Sequence, residues 1–545
     1  MSRLFSALGL LVLIVAVLAA VVGYFAYGTE PARSGTLDVP GLRGPVAVSW
    51  ADGGVVVEGT EAADLAAALG YVHGVDDAWA LALWRQAALG SLSQWFADPA
   101  AVALDRHARA LGLGSLARLT YSALPDSNRA LLDAYAAGVN RALADPAVAQ
   151  RDEFVLLDLA PDPFEPWHAL AVERLFAWAG TPPLRLDGAA TSDSALARFA
   201  RTDSLYRAFL HLGGASQSRA WVAPLDAAGG VALVQQHAYG ASALPLVREV
   251  TLRRGGRSVV AATVPGTLVF PGGADDRGAW SVFLTSPATL ETTAEALPPL
   301  AYDRLVDRAG NETLLAIRRG EGGLFFETDT GRAGAARPDT LAPAGLLADS
   351  LGASSAALPV WALRWPGFAP GTDSPAWWAL LEGRRPGFEL FRGEGLRMTR
   401  DGDAVVLGDP RLQRALPGGV FVSADSLAGF AAERLASLLD GADSLAVPLR
   451  PAALASDALS PWAAERLPGL LAALGNRDSL AFDLKDPYAY LLSWDARYTP
   501  EAIGASLFET WLQAHEEALG EPPVPGDSVD RPVLQQTLRL AVAIL

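Results

Sequence analysis

Residues 213–222, Gly213-Gly214-Ala215-Ser216-Gln217-Ser218-Arg219-Ala220-Trp221-Val222, mark the point at which the character of the chain changes. The two glycines close a stretch that has neither helical nor strand periodicity, and the apolar residues after Ser218 begin a strand. The junction predicts a flexible linker that runs into a sheet, with a serine at the boundary. Taken alone, the composition of these residues is more typical of a surface loop that carries hydroxyl groups.

The N-terminal side of the junction is mainly helical. Two β-branched clusters around Asp52-Gly53-Gly54 predict a hairpin over residues 46–59. Apolar residues then recur at spacings of three and four, which predicts helices over residues 61–96, 126–143 and 167–178. We expect a break in the first helix at Gly90.

The C-terminal side changes from strands to helices. Short β-branched runs alternate with glycine-containing turns and predict antiparallel strands at residues 231–234, 247–252, 258–264 and 324–328. Helical spacing returns in residues 427–439, 463–474 and 500–519. Helices followed by strands and then helices predict an α+β fold built in layers.

Residues 4–27 form a nearly continuous apolar run without charge, preceded by Arg3. A membrane-spanning helix needs about 20 apolar residues, whereas the apolar core of a signal peptide has about 7–15. The length therefore favours an uncleaved transmembrane signal anchor over a cleaved signal peptide, and Arg3 favours a cytoplasmic N-terminus. We expect a single-pass membrane protein with an extracytoplasmic domain, or a periplasmic or secreted protein if the segment is cleaved.

The composition excludes several classes of function. The 545 residues carry a formal net charge of −17, which argues against nucleic acid as a partner because such binding needs basic surface. There is no cysteine, so disulfides, thiolate metal sites and a cysteine nucleophile are excluded. The six histidines show no metal-ligand spacing, and no Gly-x-Ser-x-Gly elbow is present.

Several short stretches resemble, in the same order, the penicillin acylase family of N-terminal-nucleophile hydrolases. No single motif is long, and it is their collinearity over about residues 43–520 that carries the resemblance. Before the linker they are Gly70-Tyr71-Val72-His73, Asp105-Arg106, residues 131–140 and residues 153–172; after it they are Thr263-Val264-Pro265-Gly266, residues 276–280, Leu363-Arg364-Trp365, Glu433-Arg434-Leu435 and Leu492-Ser493-Trp494-Asp495.

The resemblance implies a self-processing precursor. In this family the chain is cut before a serine that lies three residues ahead of a tryptophan, which here implies cleavage between Gln217 and Ser218. Ser216 is a weaker alternative because its distance to Trp221 differs. The new α-amine would act as the base for the Ser218 hydroxyl. The remaining site residues implied by the resemblance are His237, the backbone N–H groups of Leu284 and Thr285, Asp425 in the oxyanion hole and Arg434 beside the amine.

The sequence departs from the family pattern at several of these positions. Gln217 replaces the usual glycine, and Asp425 replaces an asparagine, although an ionised carboxylate cannot donate a hydrogen bond to an oxyanion. Only Glu291 keeps a carboxylate in the segment that resembles the family's calcium loop, so we expect no cofactor and an absent or weak calcium site. The resemblance also implies that the nucleophile-bearing region is truncated at its C-terminal end.

These features divide the chain into five predicted segments. They are a signal anchor or signal peptide at 1–28, a linker at 29–42, a helical small-chain region at 43–180, a spacer at 181–217 and a large-chain region at 218–545. The resemblance implies an α-β-β-α sandwich preceded by one transmembrane helix, made of two associated chains after processing.

We expect an amidohydrolase that cleaves the linear amide of a small N-acyl compound. A β-lactam side chain and an acyl-homoserine lactone are both compatible with the resemblance. The alternative is a catalytically impaired relative that acts as a membrane-anchored binding or scaffold protein, and the substitutions at Gln217 and Asp425 motivate it.

Overall fold

A computed structural model of the chain divides it into two compact units. Unit 1 comprises Met1–Thr181 and Ala241–Leu396, and unit 2 comprises Pro182–Gly240 and Arg397–Leu545. The structure describes residues 15, 31, 33–51, 54–124, 126–180, 195–212, 219–224, 231–236, 244, 246–274, 279–284, 290–291, 299–320, 323–326, 337–338, 359–364, 397–401, 404–408, 413–416, 419–423, 428–442, 457–519 and 530–545.

Unit 1 begins with a hairpin and a series of helices. The strands are β1 (Ser34–Thr36), β2 (Ala47–Ala51) and β3 (Gly54–Glu58). The helices are α1 (Ala62–Asp76), α2 (Ala78–Leu89), α3 (Pro99–Ala110), α4 (Leu113–Ala123), α5 (Asp126–Leu143), α6 (Pro146–Ala149), α7 (Asp152–Leu156) and α8 (His168–Ala179). Unit 2 contributes the next helix and two strands, α9 (Ala195–Phe209), β4 (Arg219–Pro224) and β5 (Val231–Gln236).

Helices α1 and α5 cross with their backbones in close contact. A Cβ atom built on Gly138 would lie 1.8 Å from the carbonyl oxygen of Ala67, and one on Gly70 would lie 2.1 Å from that of Tyr135. Both distances are far below any real Cβ contact, so glycine is required where each helix meets the other. The crossing buries apolar residues of both helices, including Leu69, Val72, Leu132 and Val139.

The rest of unit 1 consists of strands. They are β6 (Arg248–Arg254), β7 (Arg257–Thr263), β8 (Gly272–Ala274), β9 (Ala279–Leu284), β10 (Leu290–Glu291), β11 (Pro299–Val306), β12 (Glu312–Gly320), β13 (Gly323–Phe326), β14 (Arg337–Pro338) and β15 (Pro359–Arg364). In the main sheet the order of unit 1 strands is β1-β2-β3-β6-β7-β8-β9-β15, with β3 and β6 parallel. Strands β11, β12 and β13 form a separate antiparallel sheet.

Unit 2 combines a sheet with a helical cluster. Its later elements are β16 (Arg397–Asp401), β17 (Ala404–Gly408), β18 (Gln413–Leu416), β19 (Gly419–Ser423), α10 (Ala428–Ala442), α11 (Pro461–Leu474), α12 (Lys485–Ser493), α13 (Ile503–Leu519) and α14 (Arg531–Ile544). One sheet has the order β18-β19-β4-β5, and α11 to α14 enclose a core around Phe508, Trp511 and Leu538.

The hairpin over residues 46–59 is confirmed, because β2 and β3 pair from Ala47 with Glu58 to Ala51 with Gly54. The helix predicted over residues 126–143 is confirmed as α5, and the break at Gly90 is confirmed as a left-handed helix end. A further break at Asp77 separates α1 from α2. Its carboxylate is buried and accepts two hydrogen bonds from Arg248, at 2.6 Å each.

Two segments predicted to be linkers contain regular structure. Strand β1 lies within residues 29–42, where it pairs with β2. Helix α9 lies within the predicted spacer at 181–217. Tyr206 and Leu210 are fully buried, so the side chains of this segment contribute to a core although their sequence shows no clear apolar stripe.

No helix among the residues that the structure describes is long and apolar enough to cross a membrane. The apolar run at residues 4–27, with the exception of Val15, lies outside those residues. The signal anchor therefore stays a prediction.

Candidate functional site

One edge of the unit 2 sheet brings three strand ends into register. Strand β4 begins at Arg219, which pairs with Gln236 at the end of β5 and with Ser423 at the end of β19. Both pairings are antiparallel, so the start of the central strand and the ends of its two neighbours lie side by side. Directly opposed residues in antiparallel strands have Cα atoms about 4.5–5.5 Å apart.

Three of the site residues predicted from sequence adjoin this edge in the chain. Ser218 precedes Arg219, His237 follows Gln236, and Asp425 comes two residues after Ser423. Ser218, His237 and Asp425, together with Gln217, lie outside the residues that the structure describes. The described register thus brings together Arg219, Gln236 and Ser423, the described residues that are nearest to them in the sequence.

Trp221 anchors the central strand of this sheet. It lies between Val234 on β5 and Phe421 on β19, and only 3% of its surface is exposed. A buried indole at the third position of β4 fixes the register of the strand, because a slip of one residue would turn it to the opposite face. The tryptophan of the serine-to-tryptophan spacing therefore has a structural role, because it fixes the register of β4.

Arg434 lies on α10 and forms an ion pair with Asp457, which lies further along unit 2. Its Nε donates to Asp457 Oδ2 at 2.7 Å and its Nη2 donates to Oδ1 at 3.2 Å. The hydrogen bond from Arg434 lowers the pKa of Asp457, and the same bond raises the pKa of Arg434. Arg497 approaches Asp457 at 3.6 Å. The resemblance implied a site role for Arg434, and no local pattern in the sequence indicated Asp457 as its partner.

The predicted backbone donors belong to unit 1. Leu284 ends β9 and pairs with Pro359 of β15, and Thr285 follows it outside the described residues. Glu291 is in the two-residue strand β10, where it pairs with Arg337 of β14. Among the residues that the structure describes, no group of three His, Asp or Glu side chains could hold a metal ion.

His73, the histidine of the first family-like motif, is buried among protein hydroxyl groups and has a structural role. Tyr135 OH lies 2.7 Å from its Nδ1, and Thr263 Oγ1 lies 2.9 Å from its Nε2. Thr263 donates its own proton to the carbonyl of Arg248, so it accepts from Nε2–H, and Tyr135 donates to Nδ1 while accepting from Gly266 N–H. Burial, with a contribution from Arg248, lowers the pKa of His73 to about 3.

The network around His73 therefore suits the neutral imidazole and connects α1, α5 and β7. Its two ring nitrogens are both engaged by neighbouring hydroxyl groups. The histidine is fully buried, so it cannot reach a substrate from solvent.

Comparison with known proteins identifies relatives over much of the chain. The sequence pattern of the penicillin amidase family matches residues 45–380. The penicillin acylase 2 proenzyme of Pseudomonas sp. (strain SE83) is 39% identical over 145 residues, which cover 26% of this chain and 18% of that protein. The match thus spans about a fifth of the relative's length. A thermostable penicillin G acylase of Alcaligenes faecalis has a similar solved structure, with 13% identity, a TM-score of 0.32, and coverage of 60% of this chain and 78% of that one.

Proposed function

Because the chain belongs to the penicillin amidase family, an amidohydrolase family that acts on carbon–nitrogen bonds, we propose that it is a self-processing amidase with Ser218 as its nucleophile. Its substrate would be the linear amide of a small N-acyl compound, such as a β-lactam with an acyl side chain or an acyl-homoserine lactone. The observation that supports the assignment of Ser218 is the register of β4, β5 and β19 at Arg219, the residue that follows Ser218 in the sequence.

The chemistry needs a base close to the Ser218 hydroxyl, since a serine hydroxyl is a weak nucleophile without one. Cleavage between Gln217 and Ser218 would create an α-amine on the same residue. The ordinary pKa of such an amine is about 7.7–8.0, so it accepts a proton near neutral pH. The hydroxyl oxygen would attack the carbonyl carbon, and the α-amine would take the hydroxyl proton and pass it to the nitrogen of the leaving amine as the C–N bond breaks. Water would then cleave the resulting ester, which releases the acyl group as a carboxylic acid and restores the hydroxyl of Ser218.

The tetrahedral intermediates of this reaction carry an oxyanion that needs hydrogen-bond donors. We assign that role to the backbone N–H groups of Leu284 and Thr285 and to Asp425. Asp425 can donate only when its carboxyl group is protonated, which requires a raised pKa. His237 and Arg434 would support the edge, His237 beside β5 and Arg434 from the helix that follows β19.

The family also suggests how the units are built and where they act. We propose an α-β-β-α sandwich in which the processed small and large chains, residues 43–180 and 218–545, stay associated. We further propose that residues 1–28 direct the protein to the cell membrane or across it, so that its substrates are extracytoplasmic. Protease protection of the full-length protein in spheroplasts would test this topology.

Self-processing is tested by the mass and the N-terminal sequences of the purified protein. We expect two chains, the second of which begins at Ser218. Ser218→Ala should stay intact, whereas the matched control Ser216→Ala should be cut as the wild type is. Amide hydrolysis is then measured with N-acyl substrates of both proposed classes. A soluble, folded wild type that remains one chain would overturn the mechanism.

The substitutions at Gln217 and Asp425 favour a second candidate, an inactive relative that binds N-acyl compounds without turning them over. Loss of one oxyanion donor typically lowers the rate about 10²–10³-fold. This candidate predicts an intact chain that binds such compounds with the same affinity in the wild type and in Ser218→Ala. The amidase predicts processing and turnover that Ser218→Ala abolishes.

A further inference from the structure

A cavity lies in unit 1, where the beginning of α3 faces the turn between β11 and β12. We call it the Arg106 cavity. Its volume is about 580 Å³, within the range of about 300–1,000 Å³ that is usual for small-molecule sites. Phe96, Pro99 and Val102 form an apolar wall, and Arg106 lies one helical turn further along α3.

The two walls of the Arg106 cavity are tied together by Arg308. Its backbone N–H donates to the carbonyl of Ser93 at 2.8 Å, and its Nη1 donates to the carbonyl of Trp95 at 2.7 Å. The β11–β12 turn is itself held by Asp307, which accepts from the backbone and side-chain amides of Asn311 at 2.9 and 2.8 Å. The cavity is therefore pre-formed, which reduces the entropic cost of binding a ligand.

Arg106 is the cation in this region that lacks a protein partner. It forms no hydrogen bond or ion pair with the residues that the structure describes, and its Nε is buried without an acceptor. The neighbouring Arg109 differs, since it donates to the carbonyl of Gly90 and pairs with Asp303 at 2.9 Å. A half-buried guanidinium without a carboxylate is costly, and an incoming anion would offset that cost.

The acidic residues that line the Arg106 cavity limit the charge of the anion that could bind there. Asp98 caps α3 by accepting from Ala100 N–H at 2.8 Å, and hydrogen bonds from Asn311 lower the pKa of Asp307. Both carboxyl groups line the cavity and disfavour a multiply charged anion. One unpaired guanidinium beside an apolar wall matches a single carboxylate that carries an alkyl or aryl group.

We propose that the Arg106 cavity binds an apolar monocarboxylate, with the carboxylate on Arg106 and the apolar group against Phe96, Pro99 and Val102. The inference goes beyond the proposed amidase activity and does not depend on it. Asp105, which precedes Arg106, does not compete for the guanidinium, because its carboxylate accepts from the backbone N–H groups of Leu92 and Ser93 at 2.6 and 2.8 Å.

The test is titration calorimetry of the full chain with octanoate as the probe and octanol as its uncharged counterpart. Arg106→Gln should weaken octanoate binding by about tenfold or more, a change of about 1.4 kcal/mol, and should leave the weak binding of octanol unchanged. Val102→Trp should block both probes by filling the cavity. The matched control is Arg304→Gln, which removes an exposed arginine of β11 that pairs with Glu312 outside the cavity.

Two outcomes would overturn the proposal. Equal octanoate affinity in the wild type and in Arg106→Gln would show that the bound carboxylate is elsewhere, for example in the acyl site of the amidase. Equal affinity of octanoate and octanol for the wild type would show that Arg106 has no role in binding. Retained circular dichroism of both cavity variants would exclude misfolding as the cause of any loss.

Discussion

The crossing of α1 and α5 gives the sharpest prediction about stability. In Gly138→Ala the new Cβ would lie 1.8 Å from the carbonyl oxygen of Ala67 and 2.9 Å from the backbone N of Tyr71. Real Cβ atoms essentially never come closer than 3.0 Å, so the oxygen contact falls short by 3.0 − 1.8 = 1.2 Å. The opposing atoms are backbone, so no side-chain rotation can relieve the contact and the two helices must separate.

Separation of the helices loosens the packing on both sides of the crossing. Overpacking in a core typically costs about 1–3 kcal/mol, and the upper part of that range applies when backbone must move. Alanine in place of glycine recovers at most about 1 kcal/mol through helix propensity. We therefore expect Gly138→Ala to lower the free energy of unfolding by about 2 kcal/mol.

The matched control is Gly114→Ala at the beginning of α4. Its Cβ would meet the end of the Leu89 side chain at 3.2 Å, which a small rotation can relieve. This variant should stay within about 1 kcal/mol of the wild type. Urea midpoints followed by circular dichroism measure both. Equal midpoints for the two alanine variants would refute the steric argument and show that the crossing can relax.

Three further predictions concern His73, Arg434 and Asp425. The unfolded chain binds a proton at His73 below pH 6.5, but the folded chain binds it only near pH 3, so the free energy of unfolding should decrease as the pH is lowered from 6.5 towards 3. At pH 5 this group lowers the free energy of unfolding by about 2 kcal/mol. In urea titrations, His73→Gln should therefore lose less stability between pH 7 and pH 5 than the wild type does. Asp457→Asn breaks a partly exposed ion pair with Arg434 and should lower the free energy of unfolding, measured in urea, by only about 1 kcal/mol. If Arg434 supports the proposed site, the same variant should also show slower appearance of the two processed chains on gels. Asp425→Asn supplies the donor that an ionised carboxylate cannot, so it should raise amide turnover about 10²-fold at a pH above the pKa of Asp425, and equal rates of the two proteins at every pH would remove residue 425 from the oxyanion site.

Much of the local structure could be predicted from the sequence because local signals agree with the tertiary structure. Helix α5 begins and ends where Pro125, Asp126 and the apolar spacing indicate, and the β2–β3 hairpin follows from two β-branched runs around glycine. The break at Asp77 could not be predicted in this way. It depends on Arg248, which is 171 residues away in the sequence and compensates the buried carboxylate.

Helix α9 was missed for a related reason. Residues 195–209 mix alanine with serine, arginine and aspartate, so their sequence has no continuous apolar stripe. The helix also contains a buried ion pair, since Arg207 Nε lies 2.8 Å from Asp203 Oδ2 and both side chains are 3% exposed. The spacing of one helical turn between the two residues is visible in the sequence, but their burial is not, because burial is not a local property of the sequence.

The candidate site also depends on tertiary structure that the local sequence does not indicate. Ser218, His237 and Asp425 were proposed from a resemblance, because nothing in their spacing of up to about 200 residues indicates proximity. The sheet supplies what the spacing lacks: β19 joins β4 in a register that sets Ser423 opposite Arg219, while β5 sets Gln236 opposite the same residue. In the proposed site, strand register and not the residue before the nucleophile forms the edge, so we expect the substitution at Gln217 to leave the edge itself intact. Activity should therefore depend on the chemistry at Asp425 rather than on whether the edge forms, which is why a single amide in place of that carboxylate is the most informative change.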